Sequence, residues 1–256
     1  MTARWIGTSW KMNLTLSEAE TYAQSLSHSL RSRPELTAGV QPFIIPPVTA
    51  LSAVRGVLGD SSQRPGGIKL GVQNAHWEDS GAWTGEISVP QAVDAGAEIV
   101  EIGHSERREF FNETIRTTRL KVRAALKHGA WPLLCVGEPQ EVRARGHASE
   151  YILGQANGAL EGLSPEQLST VLIAYEPIWA IGASGRPATS AELIEPFQAL
   201  REQFGGHVAS LLYGGSVNPH NAQDLLAMKD IDGLFIGRAA WTAEGFTEIL
   251  ELAASA

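Results

Sequence analysis

The sequence predicts a closed (β/α)8 barrel, and three observations carry that prediction. Eight short apolar runs lie near residues 4–8, 40–45, 68–73, 98–102, 132–136, 171–175, 208–213 and 232–236. Helix-prone segments follow them at 17–31, 48–58, 87–95, 113–128, 139–160, 190–204, 219–227 and 243–253. The apolar runs are continuous rather than alternating, as parallel strands covered on both faces require. No shift of composition or low-complexity linker divides the 256 residues, so the chain reads as one domain over 1–256. Eight β–α pairs imply closure, and an open doubly wound sheet is the alternative.

The punctuation between elements has physical content. Ser17-Glu18-Ala19-Glu20 and Ser190-Ala191-Glu192 read as N-caps with acidic first turns, where carboxylates oppose the helix dipole. Gly129 and Gly205-Gly206 stand where helices stop. Pro65-Gly66-Gly67 reads as a turn before the third strand.

Composition narrows the classes of function. With 43% hydrophobic and 19% charged residues, the chain has the make-up of an ordinary globular protein. A formal net charge of −8 argues against nucleic acid or an anionic membrane surface as partner. No stretch has the apolar length of a membrane span. Trp5-Ile6 already belongs to a strand, so no export signal is expected. Cys135 is the only cysteine, which excludes an internal disulfide and suits a reducing cytoplasm. Histidines and carboxylates do not cluster at ligand spacing, so a metal site is not expected.

The run from Ala174 to Gly182 is the most informative segment. Val171–Ala174 forms a buried strand, Glu176 emerges where it stops, and Pro177 ends further pairing. Trp179 is a bulky anchor, beyond which Gly182-Ala183-Ser184-Gly185 has the small residues of a mobile lid. A glutamate under a closing loop suits proton abstraction, because closure expels water from around the carboxylate.

In a barrel of this kind chemistry gathers at the C-terminal ends of the strands. Those positions carry Gly7-Thr8-Ser9-Trp10-Lys11-Met12-Asn13, Gln73-Asn74, Gly103-His104-Ser105-Glu106, Cys135-Val136-Gly137-Glu138, Glu176, Tyr213-Gly214-Gly215-Ser216 and Ile236-Gly237-Arg238. Singly, Lys11 is a surface lysine, His104 a capping residue and Gly214-Gly215 a turn. Together they supply a base, an electrophile, a cation and two phosphate cradles on one rim. His104 precedes Ser105-Glu106-Arg107-Arg108, which could open a short helix and keep the ring neutral. Ser216 is expected to open another helix, and Gly237 to permit close backbone approach by a phosphate.

These motifs, in this order, resemble triosephosphate isomerase over nearly the whole chain. The resemblance implies a homodimeric isomerase of the aldose–ketose type that works through an enediolate without metal or cofactor. It implies Glu176 as base, His104 as electrophile, Lys11 as the electrostatic residue and Glu106 as its neighbour. Substrate contacts would come from Ser9, Asn13, Gly182, Ser216, Gly237 and Arg238. Thr84, in the loop Gly81–Glu86, would reach across the dimer toward the partner's site. Cys135 is expected to pack behind the base. His28, His128 and His207 are expected at the surface, His76 and His220 on or near the rim without a role. Trp77, Trp83 and Trp241 could be barrel packing or pocket walls.

Departures from the usual pattern point to a branch of that family. Ser9 replaces the asparagine that commonly precedes Trp-Lys-Met-Asn, and Gly237-Arg238 replaces two glycines. The lid, 182–189, is one residue longer, with Pro187 at its second hinge. With Trp83 and Gly237-Arg238-Ala239-Ala240-Trp241, these features are similar to the branch associated with erythritol catabolism. Its members convert L-erythrulose 1-phosphate to D-erythrulose 4-phosphate. That substrate is dihydroxyacetone phosphate with a further hydroxymethyl group, for which Ser9 would leave space and a hydroxyl. Triose phosphate is the alternative substrate, and a catalytically silent phosphate-binding barrel the alternative of another class.

Overall fold

The computed structural model describes residues 3–182 and 185–256. Among them are eight strands: β1 (Arg4–Ser9), β2 (Val40–Ile45), β3 (Lys69–Val72), β4 (Ile99–Ile102), β5 (Trp131–Val136), β6 (Leu172–Tyr175), β7 (Ser210–Tyr213) and β8 (Gly233–Ile236). Each pairs in parallel with its neighbours in chain order, and β1 pairs with both β2 and β8. Thr8, for example, stands opposite Ile44 on one side and Ile236 on the other. The sheet is closed, which removes the open doubly wound alternative.

The continuous apolar runs are explained by burial on both faces. Trp5, Phe43, Ile45, Ile99, Leu133, Cys135, Leu172, Ala174, Leu212 and Phe235 fill the barrel interior. Intervening residues such as Ile6, Ile44, Val100, Leu134 and Ile173 join the helices in the outer layer. Each of these aliphatic side chains is completely buried and contributes about 1.5–3 kcal/mol relative to exposure.

Helices α1 (Leu16–Ser32), α2 (Val48–Leu58), α3 (Val89–Asp94), α4 (Ser105–Phe110), α5 (Ile115–Lys127), α6 (Gln140–Ala144), α7 (Ala148–Leu160), α8 (Pro165–Leu168), α9 (Ser190–Phe204), α10 (Ala222–Leu226) and α11 (Ala243–Ser255) cover the outside. Three local expectations are corrected. The caps of α1 and α9 are Thr15 and Thr189, not Ser17 and Ser190. In each, Glu18 or Glu192 stands three residues on and accepts from the threonine N–H at 2.7 and 2.9 Å, closing a capping box. The segment 139–160 is two helices, because Gly146 turns the chain with φ 75°. Helix α8, capped by Ser164 with Pro165 in its first turn, had no counterpart in the expected pattern. The glycine stops hold: Gly129 follows α5 with φ 72°, and Gly206 follows α9 with φ 79°.

Candidate active site

The strand ends converge on a cavity of about 480 Å³ whose walls include Ser9, Lys11, His104, Glu176, Gly182, Ser216, Gly237 and Arg238. Eight of the residues expected at the site are thus brought together by β1, β4, β6, β7 and β8. Asn13 is not among them. Its Nδ2 donates to the Trp10 carbonyl at 2.8 Å, so it fastens the loop that carries Lys11 instead of facing the cavity.

Glu176 begins where β6 ends. Its N–H donates to the Val136 carbonyl at 2.8 Å, which fixes the backbone against β5. The side chain is buried, and Oε2 has no hydrogen-bond partner among the described residues. Room for it is made by Gly214 on the adjacent strand end, where a Cβ would stand 2.6 Å from Glu176 Cγ. Cys135 lines a small recess with Glu176, as expected of a packing residue, and burial pushes its thiol well above the usual range. A buried carboxylate with a free oxygen beside the cavity is suited to accepting a proton from carbon.

His104 faces Glu176, with Nε2 3.7 Å from Oε2. It caps α4: its Nδ1 accepts from the Glu106 N–H at 3.2 Å. That nitrogen therefore carries no proton, and in the neutral tautomer Nε2–H points at the cavity. A neutral donor of this kind can polarise a carbonyl oxygen and stabilise the enediolate that follows. The Gly103 N–H that precedes it donates to Glu113 Oε1 at 2.8 Å, and Glu113 is held by Arg107 and Lys121. This trio, of which Glu113 and Lys121 are buried, orients the turn, and the sequence did not single it out.

Lys11 occupies the left-handed region with φ 51°, a conformation that costs a side-chain-bearing residue about 1–3 kcal/mol. The loop is held there by Gln73, whose Nε2 donates to the Lys11 carbonyl at 2.8 Å. Lys11 Nζ donates to Glu106 Oε1 at 2.6 Å. Burial raises the Glu106 carboxyl, but the Lys11 hydrogen bond and the neighbouring positive charge outweigh it and hold the group below its ordinary value. The pair keeps a cation fixed at the cavity wall.

Ser216, Gly237 and Arg238, after β7 and β8, form a further part of the wall. Gly237 precedes a short 3-10 turn, Arg238–Ala240, and a Cβ there would meet no atom of the described residues within 4 Å. Ser216 does not open a helix, since α10 starts only at Ala222; its hydroxyl instead donates to the Ala180 carbonyl at 2.7 Å. Arg238 Nη2 donates to the Gly182 carbonyl at 3.2 Å. Both bonds tie the loops after β7 and β8 to the first hinge of the expected lid, whose residues Ala183 and Ser184 lie outside the described residues. Trp179 anchors that hinge: Nε1 donates to Glu138 Oε1 at 2.7 Å, and the guanidinium groups of Arg143 and Arg186 lie 4.5 and 4.7 Å from the ring centre.

Two tryptophans left open by the sequence acquire places. Trp241 is a cavity wall, with Nε1 donating to the Ser9 carbonyl at 3.0 Å. Trp83 stands exposed beside Thr84 and packs on His76, ring centres 4.3 Å apart. Sequence reasoning also passed over Glu101, a buried carboxyl on the inward face of β4. Burial pushes it up to about 7, assisted by Glu176 and opposed by His104, Ser9 and Lys11. The only available signal was a charged residue inside the apolar run Ile99-Val100-Glu101-Ile102.

Comparison with known proteins agrees with this geometry. A family profile described as triosephosphate isomerase matches residues 4–253. The L-erythrulose-1-phosphate isomerase of Mycolicibacterium smegmatis is 61% identical over 251 residues, spanning 98% of this chain and 93% of the relative. The enzyme of the same name from Mesorhizobium japonicum is 50% identical over 257 residues, covering 98% of each chain. A solved triosephosphate isomerase from Bartonella henselae superposes with a TM-score of 0.82 at 34% identity, over 97% of this chain and 98% of that one. With a closed eight-stranded barrel and a profile match along almost its entire length, the chain belongs to the triosephosphate isomerase family.

Proposed function

We propose that the protein isomerises L-erythrulose 1-phosphate to D-erythrulose 4-phosphate. The single observation that carries the chemistry is the meeting of Glu176, His104 and the Lys11–Glu106 pair around one cavity. Glu176 removes the proton from C3 of the ketose while His104 Nε2–H and Lys11 stabilise the negative charge that develops on the C2 oxygen. The product of that step is an enediol(ate) across C2 and C3. The hydroxyl proton on the C3 oxygen passes to the C2 oxygen by way of His104, and return of the carbon-bound proton from Glu176 to C2, with the C3 oxygen becoming the carbonyl, completes the exchange. Both ends of this reaction are ketoses, which departs from the aldose–ketose type of the triose reaction while leaving each proton transfer the same. Gly182, Ser216, Gly237 and Arg238 hold the phosphate through backbone N–H groups. The choice of a tetrulose is supported by the names of the relatives at 61% and 50% identity. Triose phosphate is the second reading, favoured by the likeness to a solved triosephosphate isomerase at 34% identity.

Homodimer formation belongs to the same proposal. Met12, Phe110 and Phe111 are exposed apolar side chains near the rim, and the loop bearing Trp83 and Thr84 projects from the same end. A cytoplasmic setting fits the single buried thiol of Cys135. The test of the chemistry is incubation with L-erythrulose 1-phosphate in heavy water, followed by NMR. Deuterium at C3 of recovered substrate and at C2 of the substrate skeleton in the product is expected. A ketose phosphate that remains fully protonated and unconverted would exclude the reaction.

A further inference from the structure

The wall of the active-site cavity carries the charged side chains of Lys11, Glu176 and Arg238, and they are not balanced alike. Lys11 is neutralised by Glu106, whose Oε1 lies 2.6 Å from its Nζ. Glu176 adds a negative charge, and His104 in its neutral tautomer adds none. Arg238 is thus the one cation of the wall without a carboxylate partner among the described residues. Without it the wall would be net negative and would repel a phosphate dianion. The place of this side chain in the fold is equally specific. It is exposed, starts in the turn after β8, and reaches the chain that follows β6, where Nη2 donates to the Gly182 carbonyl at 3.2 Å. Strand β7 stands between β6 and β8, and Ser216, in the loop after β7, also lines the cavity. The guanidinium therefore bridges the stretch of rim that Gly182, Ser216 and Gly237 form. Its bond to Gly182 occupies one edge of a planar fork, and the remaining N–H groups have no acceptor among the described residues.

We propose that the guanidinium of Arg238 is itself a ligand of the substrate's phosphate dianion, donating to its oxygens with the N–H groups that Gly182 leaves free. The inference rests on the isomerase reading above and goes beyond the backbone contact which that reading gives Arg238. A guanidinium presents parallel N–H groups at the spacing of two phosphate oxygens and carries its charge at every working pH, so it suits this task better than an ammonium group. Its charge also decides which end of the substrate goes where. The dianion is drawn to the cation that has no partner, which leaves the carbon chain to lie toward Glu176 and His104 at the other side of the cavity. The hydrogen bond to Gly182 holds the long side chain along the rim before the substrate arrives, and this reduces the ordering that binding requires.

The experiment measures the dissociation constant of inorganic phosphate by calorimetry at pH 8, where most of it is the dianion. Wild type is compared with Arg238→Met, Arg238→Lys and Arg238→Ala, and kcat/KM for L-erythrulose 1-phosphate is measured on the same preparations. Methionine removes the charge and the donors but keeps an unbranched chain, and is expected to weaken phosphate binding at least roughly tenfold. Lysine keeps the charge without the fork and is expected to recover part of that loss. Guanidinium ion at millimolar concentration is expected to restore phosphate binding to Arg238→Ala in a saturable way, whereas tetramethylammonium at the same ionic strength is not. Phosphate affinity within about twofold of wild type in both the methionine and alanine variants overturns the role of the guanidinium, and the isomerase reading stands if wild type turns over the sugar phosphate. A loss that is equal for lysine and methionine and that guanidinium ion does not recover makes Arg238 a tether for Gly182 alone, and also overturns the proposal. The expected pattern of phosphate binding in a protein whose wild type isomerises neither sugar phosphate overturns the isomerase reading and leaves the phosphate ligand in place.

Discussion

Replacing Glu101 by glutamine changes how stability depends on pH, and the structure sets both sign and size. Burial, with the Glu176 charge, raises the carboxyl from 4.5 to about 7 in the folded protein. Between those values the folded chain keeps a proton that the unfolded chain has released. The folded state then binds more protons than the unfolded one, so stability falls as pH rises from about 4.5 and levels off above about 7. The whole decline attributable to Glu101 is on the order of 3 kcal/mol. Glutamine does not ionise and lacks this decline. Glu106 and Glu113 have lowered values and give slopes of the opposite sign, but they are common to both proteins. The informative quantity is therefore the difference between variant and wild type. Urea unfolding followed by circular dichroism at pH 5, 6, 7 and 8, at one protein concentration, measures it. The variant should gain about 2–3 kcal/mol on wild type between pH 5 and pH 8. Parallel curves for the two proteins would mean that Glu101 ionises normally in the barrel, and the desolvation argument would be wrong.

Other expectations concern catalysis, substrate choice and assembly. Glu176→Gln should lower turnover by at least about 10²–10⁴ while retaining inhibition by inorganic phosphate, and activity within threefold of wild type would remove Glu176 as base. Ser9→Asn should shift discrimination against the tetrulose by roughly 10–200-fold, whereas Arg238→Gly, at the phosphate end, should alter both substrates alike. Equal effects of Ser9→Asn on both substrates contradict a role for Ser9 in selection. Deleting residues 78–83 should weaken self-association in sedimentation and lower turnover with it; a fully active monomer would contradict the proposed assembly.

The strands were the most legible part of the fold, because a strand buried on both faces writes itself as an unbroken apolar run. Each expected run overlaps one of the eight strands, and their order around the barrel follows chain order. Helix starts were less legible where serine and threonine compete for the cap. At Thr189 the deciding signal was a glutamate three residues on, which Ser190 lacks; Thr15 and Ser17 both have one, so that spacing did not separate them. The cavity residues were readable from their positions after strands, since a closed barrel leaves the strand ends little choice of place. Asn13 and Ser216 show the limit of that logic. Both follow strand ends, yet local hydrogen bonds to Trp10 and Ala180 decide where their side chains go. Glu101 and the Glu113–Lys121 pair were hidden for another reason. Their meaning comes from what surrounds them in space, and the partners are up to 92 residues away for Glu101, as Ser9 is.

The most direct test of the central claim is kcat/KM for L-erythrulose 1-phosphate and for dihydroxyacetone phosphate on one preparation of the wild-type protein. A preference for the tetrulose of at least roughly tenfold is expected, because Ser9, on the cavity wall, offers space and a hydroxyl that only the fourth carbon uses. A preference for the triose, with the tetrulose turned over slowly or not at all, would contradict it.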